Sequence, residues 1–411
     1  MYSLIAYVAQ LLLPVAALFS KKMSLFVKGR RGQFARMEAA ISPDDRVVWI
    51  HASSMGEFEE VRPIVERIRN EHPEFKTVVT FFSPSGYEAY KNWKGADCVF
   101  YLPVDTPYNA SRFIRIVHPE IAIFSITDYW FNHLKAMKRY GTRAYVVSAL
   151  FTEGMTVFKW YGFAYRRIIR NAFANILTKD DRSVDLLETI GFDRGVRCGD
   201  PRFDRVINIA ESQWHDPVME RFCSDFPVFI AGSTVTREDD EIAVRLANLY
   251  PDVRFVFVPH EIEENTMSYI ETAVQGEVLR HSACGEDTDF TGTRALIVDC
   301  VGKLARIYRY GRWALVGGGF YKGLHSVIEA SVYGLPVITG PVFNNRPAEE
   351  LVRLGIDGVA NVPEDAVAWF DRLYRDKALY EETGKRAHDY CYANKGASDA
   401  IMRIIFGGAN G

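Results

Sequence analysis

Two doubly wound α/β domains are the fold class this sequence predicts, and three observations predict it. Short β-rich apolar runs alternate with amphipathic stretches, the pattern of parallel strands joined by crossover helices. The alternation stops near residue 200 and restarts at Pro227. At 411 residues the chain is also longer than one ordinary domain, so two cores are expected.

Composition narrows the function classes. Lys and Arg number 49 against 52 Asp and Glu, a net charge of −3 that argues against a general nucleic-acid binder. Cys98, Cys198, Cys223, Cys284, Cys300 and Cys391 are scattered, without a C-x-x-C pair or a Cys/His zinc spacing. They read as reduced core thiols of a cytoplasmic protein. The carboxylates form no cluster suited to Mg²⁺, so no metal cofactor is expected.

Residues 1–19 are nearly all apolar, interrupted by Ser3, Gln10 and Pro14. That is marginal length for a membrane span. A cleaved signal peptide carries its positive charge ahead of the apolar run, whereas here Lys21, Lys22, Lys28, Arg30, Arg31 and Arg36 follow it. Residues 1–20 are therefore expected to anchor the chain to a membrane, with the bulk left in the cytoplasm. The pattern fits a helix that spans or one that lies in the interface; a first core helix containing Pro14 is the plainer alternative.

In the first domain, strands are expected at 47–50, 77–82, 120–126 and 143–148. The first runs into HASSMGEFEEVRPIVERI, placing His51, Ser53, Ser54 and Glu57 at a strand end and helix start, where polar groups face a ligand crevice. Ser54 with Glu57 also fits a capping box, which the local pattern alone favours. Asp128 after EIAIFSIT, and Ser83 and Ser85 after TVVTFF, are either helix caps or further crevice residues. GDPRFDRV at 199–206 carries the turn residues of a linker.

The second domain is expected to place strands at 227–231, 253–258, 295–298, 313–316 and 336–339. FIAGSTVTREDDEI brings Gly232, Ser233 and Thr234 to a strand end, with Glu238 and Asp239 complementing the following helix dipole. FVFVPHEIEE delivers His260 and Glu261 to a similar position. The segment VGGGFYKGLHSVIEASVYGLPVITGP is the most informative in the chain. Gly317, Gly318 and Gly319 let a backbone approach a ligand closely. After Gly323 a helical pattern begins near His325, so the helix N-terminus would hold a phosphate while Glu329, one turn on, grips a ribose diol. The crevice between the two domains is the default active site.

The order HASSMGE, TDYWFN, GDPRFD, AGSTVTRE, VPHE, DCVGKLARIY and VGGGFYKGLHSVIEASVYGLPV resembles the Kdo (3-deoxy-D-manno-octulosonic acid) transferases of lipopolysaccharide assembly, over nearly the whole chain. The resemblance implies a GT-B glycosyltransferase with an N-terminal anchor at residues 1–20. It implies an acceptor domain at 21–200 and a CMP-sugar domain at 201–411, whose last helix can pack back on the first domain. It also implies CMP-Kdo as donor, a lipid A precursor as acceptor, and attachment to the lipid surface at the cytoplasmic face of the inner membrane.

Carried over by residue, the resemblance makes Glu57 the general base, beside Ser54 and Gly56, and puts Asp128 on the acceptor side where the family usually has Glu. It assigns Glu329 to the ribose, and Gly232, Ser233, Thr234, His260, Gly317, Gly318, Gly319, Gly323, His325 and Ser326 to the donor. Ser326 stands where Asn is usual, Val235 where His is common, and VPHE lacks the usual Arg. A single displacement with one carboxylate base and no metal suits this set. The rival readings are a UDP-sugar transferase or epimerase of the same fold, and a non-catalytic membrane adaptor that kept it.

Overall fold

The computed structural model describes residues 2–126, 129–285, 287–321, 323–343 and 345–407. The chain divides into two compact units, Met1–Asp204 with Gly396–Gly411 and Arg205–Lys395. Each is built on a seven-stranded, wholly parallel sheet.

The first sheet contains β1 (Arg46–Ala52), β2 (Phe75–Phe81), β3 (Cys98–Tyr101), β4 (Ile121–Ser125), β5 (Arg143–Ala149), β6 (Phe173–Thr178) and β7 (Gly195–Arg197), in the order β3-β2-β1-β4-β5-β6-β7. β1 is central and buried from its second residue onward, as expected of a strand covered on both faces. Trp49 shows how one face closes. It sits opposite Val78 and Ala122, packs edge-on against Phe113 and Phe124, and donates its indole N–H to Thr80 Oγ1 at 2.8 Å. On the other face Ile50 and Val79 share a core with Ile401, Met402 and Ile405 of the last helix, Ala397–Phe406. Asp204 fixes that segment by accepting the Gly396 and Ser398 N–H groups, each at 2.6 Å.

The apolar segment forms a helix, Tyr2–Phe19, long and apolar enough to cross a membrane by length and composition, and none of its residues is buried. Its few polar side chains turn toward the first unit. Tyr2 Oη donates to Asp105 Oδ2 at 2.7 Å, Ser3 Oγ donates to Asn132 Oδ1 at 3.0 Å, and Gln10 Oε1 accepts from Asn109 Nδ2 at 3.0 Å. Leu11, Leu18 and Phe19 are more than three-quarters exposed. A contiguous apolar face of this kind marks a surface that something else covers.

The second sheet contains β8 (Val228–Thr234), β9 (Arg254–Pro259), β10 (Glu277–Arg280), β11 (Thr293–Ile297), β12 (Trp313–Val316), β13 (Val337–Thr339) and β14 (Gly358–Val359), ordered β10-β11-β9-β8-β12-β13-β14. Phe229, Phe255, Trp313 and Phe370 make its aromatic core. Because β8 lies between β9 and β12, the loops after these three strands emerge side by side. That placement builds the candidate site of the second unit.

Candidate active site

In the first unit the candidates gather where β1 ends. Ser54 is the N-cap of the Met55–Glu71 helix, its Oγ accepting the Glu57 N–H at 3.4 Å. Glu57 reaches back, and its Oε2 accepts the Ser53 N–H at 2.6 Å. The reciprocal contact thus lands one residue before the cap, a displaced capping box. It fixes the direction of a half-buried carboxylate, and Ser125 Oγ steadies the same residue by donating to the Glu57 carbonyl at 2.7 Å. A Cβ at Gly56 would meet nothing within 4 Å, so the fold itself does not demand glycine there. Ser83 is tied to this turn, its N–H donating to the Ser53 carbonyl at 2.8 Å, and its hydroxyl pairs with that of Ser85.

His51 corrects the expectation that it faces a ligand. Its ring is buried, and Trp130 donates an indole N–H to Nε2 at 2.9 Å. An indole N–H only donates, so Nε2 accepts and the proton sits on Nδ1, which bonds Thr80 Oγ1 at 2.9 Å. His51 is a brace between β1, β2 and Trp130. Asp128 lies outside the described residues. Two residues before it, Ile126 holds a φ of 62°, a costly conformation for a β-branched side chain and one that collects at functional strand ends.

Asp105 was not singled out from the sequence. Its Oδ1 accepts from the His133 N–H at 2.9 Å and meets His133 Nδ1 at 2.6 Å, and its Oδ2 accepts the Asn132 N–H at 3.0 Å. Burial works to raise its pKa, but His133, the Asn132 N–H and Tyr2 outweigh burial and hold the carboxyl below its usual range. It serves the Phe131–Tyr140 helix as a remote cap.

In the second unit backbone carries more of the site. β8 bulges between Gly232 and Thr234, and Ser233 takes a φ of 51°. A Cβ on Gly317 would strike the Ser233 carbonyl and lie 2.6 Å from Thr234 Cα, while one on Gly319 would lie 2.7 Å from the Gly340 nitrogen. Gly232 is confined in the same way beneath the hydroxyl of buried Tyr308. Gly317 and Gly319 are required by close approach of backbone to backbone, and Gly232 by the Tyr308 side chain packed against it.

Asp239 joins the two loops. It forms a capping box with Thr236, and its Oδ2 accepts from the N–H groups of Val235 at 2.9 Å, Thr236 at 3.1 Å and Gly318 at 3.0 Å. Its expected part as a dipole complement is therefore incomplete, since it also anchors the glycine loop. The same contact corrects the picture of a loop offering its N–H groups to an anion. Gly318 N–H is committed to Asp239, and Gly317 N–H to the Gly232 carbonyl at 3.0 Å.

The expected helix start near His325 is also corrected. Residues 323–326 are irregular, Gly323 has a φ of 131°, and the helix runs only from Ile328 to Ser331. Four residues align too few peptide dipoles to act as a strong anion site. His260 and His325, from different loops, stand with ring centroids 4.5 Å apart. Burial, with His260 alongside, pushes the His325 pKa down to about 4, leaving a neutral imidazole with one N–H to donate. Glu329 is half-buried in the short helix, and burial together with its negative charge raises the Tyr308 pKa well above normal. Gly232, Tyr308 and Glu329 thus form one cluster; Ser326 is half-buried in the irregular stretch before the short helix. Among the described residues, no group of three or more His, Cys, Asp or Glu converges as a metal site.

Residues 27–205 match the family model described as 3-Deoxy-D-manno-octulosonic-acid transferase (kdotransferase). The chain is 26% identical to the 3-deoxy-D-manno-octulosonic acid transferase of Haemophilus influenzae, over 89% of this chain and 88% of that protein. The chain is thus similar to Kdo transferases over most of its length. The family's enzyme from Aquifex aeolicus is also 26% identical, over 85% of this chain and 92% of its own length. Among solved structures, UDP-GlcNAc 2-epimerase from Neisseria meningitidis bound to UDP-GlcNAc aligns with a TM-score of 0.61 at 14% identity, covering 87% of this chain and 98% of that one. A glycosyltransferase from Rickettsia africae aligns with a TM-score of 0.56 at 10% identity, covering 88% and 98%. Identities this low establish the fold, which is GT-B, and nothing of the reaction.

Proposed function

We propose that this chain transfers Kdo from CMP-Kdo to a lipid A precursor, with inversion, at the cytoplasmic face of the inner membrane. The observation that carries the reading is the Glu57 carboxylate, aimed by the Ser53 N–H at the end of a central strand inside the segment matched to the Kdo transferase model. In the proposed step an acceptor hydroxyl oxygen attacks the anomeric carbon of Kdo. The bond from that carbon to the CMP phosphate breaks, and CMP leaves with the electron pair. Glu57 takes the hydroxyl proton. Charge develops on the departing phosphate, and the neutral His325 N–H with the Ser233 hydroxyl answers it without a metal.

Glu329 accepts hydrogen bonds from the ribose in this scheme, held beside Tyr308. The helix Tyr2–Phe19 and the exposed Lys21, Lys22, Lys28 and Arg31 that follow it keep the enzyme at an anionic bilayer. Nucleotide preference tests the donor. A ligand that binds only the folded state raises the melting temperature in proportion to its affinity. CMP is expected to protect the purified full-length protein and UDP to leave it unchanged; protection by UDP alone would replace this reading with that of a UDP-sugar enzyme.

A further inference from the structure

A cavity of about 430 Å³ opens between the Phe131–Tyr140 and Phe163–Ala172 helices of the first unit. Phe131, Leu134 and Ile168 give it an apolar floor, and the exposed Lys135, Lys138 and Arg167 stand at its rim. Lys135 Nζ lies 4.2 Å from the centre of the Phe131 ring, so cation and apolar surface are in direct contact. Neither helix carries a carboxylate. Across residues 129–178 eight Lys or Arg face a single acid, Glu153, and no ion pair among the described residues neutralises the three rim cations. In a chain with a net charge of −3 this is a concentrated local positive field.

The surroundings point to a lipid. Arg166 donates to the Lys159 carbonyl at 2.9 Å and to that of Val157 at 3.3 Å, which braces a loop displaying Trp160 at 88% exposure. Phe163, at 70%, stands at the cavity mouth. Exposed aromatic residues beside cations are the side chains that settle at a bilayer interface. The apolar N-terminal helix begins at the same place, with the Tyr2 ring 5.4 Å from that of Phe131.

We propose that this cavity docks the lipid acceptor itself, with an acyl chain lying on Phe131, Leu134 and Ile168 and a head-group phosphate held by Lys135, Lys138 and Arg167. A flat basic patch would serve bulk anionic lipid, whereas a concave site of this volume, with an apolar floor and a charged rim, fits one ligand molecule. The inference rests on the reading above that the acceptor is a phosphorylated lipid.

The test uses the full-length protein in detergent, with K135E/K138E as the charge variant and A164W, whose indole would fill the cavity. The probes are a bis-phosphorylated lipid A precursor, the same lipid after phosphatase treatment, and phosphatidylcholine vesicles with and without phosphatidylglycerol. K135E/K138E is expected to weaken the phosphorylated lipid about tenfold or more, to leave the dephosphorylated lipid and CMP unaffected, and to keep vesicle binding largely intact. A164W is expected to weaken both lipids. Equal affinities of wild type for the two lipids, or a charge variant that loses only its binding to phosphatidylglycerol vesicles, would overturn the proposal. Binding that follows the expected pattern with no Kdo transferred would keep the docking site and sink the assigned reaction.

Discussion

Where β1 ends, the first unit presents side chains on a 17-residue helix; where β8 and β12 end, the second presents backbone held close by glycine. Glu57 is aimed by a displaced capping box and needs no glycine beside it. The second site is shaped by atoms that have no room for a Cβ, and by one carboxylate, Asp239, that gathers three N–H groups from two loops. The difference matches the chemistry proposed for each. Taking a proton needs one directed base, whereas gripping a nucleotide needs a fitted surface.

The comparison breaks first at Glu57. Glu57→Gln keeps the size and most of the hydrogen bonding but cannot take a proton, so single-turnover transfer is expected to fall at least about a hundredfold while CMP binding and fold persist. Near-normal transfer with a lowered melting temperature would leave Glu57 as a cap. On the donor side Glu329→Gln is expected to weaken CMP by roughly ten- to a hundredfold, since hydrogen bonds to a charged group contribute about 1.5–3 kcal/mol. Calorimetric titration giving an unchanged affinity would return Glu329 to packing.

Glycine substitutions sharpen the contrast. Gly317→Ala forces a Cβ into Ser233 and Thr234 and is expected to cost about 1–3 kcal/mol of stability along with CMP affinity. Gly56→Ala has open space and lies in a helix, so urea unfolding is expected to show no loss, or a gain of up to about 1 kcal/mol. Comparable destabilisation by both would mean the two sites are not built on different principles.

The smallest effect is one of pH. The folded-state pKa of His325 is depressed to about 4 from its ordinary value of 6.5. Between those values the unfolded chain binds a proton that the folded chain refuses, so stability is complete above about pH 6.5 and declines as pH falls toward 4. His325→Gln is expected to flatten that part of the profile in thermal melts across the range. A wild-type curve that does not decline there would place His325 in a more polar setting.

Much of this was legible from the residues, and the gaps have physical causes. The expected runs 47–50, 77–82, 120–126 and 143–148 are β1, β2, β4 and β5, because strands buried on both faces leave unbroken apolar stretches. β3, β7, β10 and β14 are two to four residues long, and β6 is interrupted by Asn175, so none leaves such a run. The Ser54 and Glu57 cap is a local pattern and could be read. The His260 and His325 contact is not local, since only the order β9-β8-β12 brings those loops together. The helix at His325 was over-extended because apolar spacing there is set by packing of an irregular loop, with Gly318 and Gly323 at positive φ.

The central claim is Kdo transfer, and the mass of the lipid product tests it most directly. Full-length protein in detergent, given CMP-Kdo and a lipid A precursor, is expected to release CMP and to raise the mass of the lipid by whole Kdo residues. CMP bound tightly, with the lipid mass unchanged under conditions where the Haemophilus influenzae relative is active, would contradict the account.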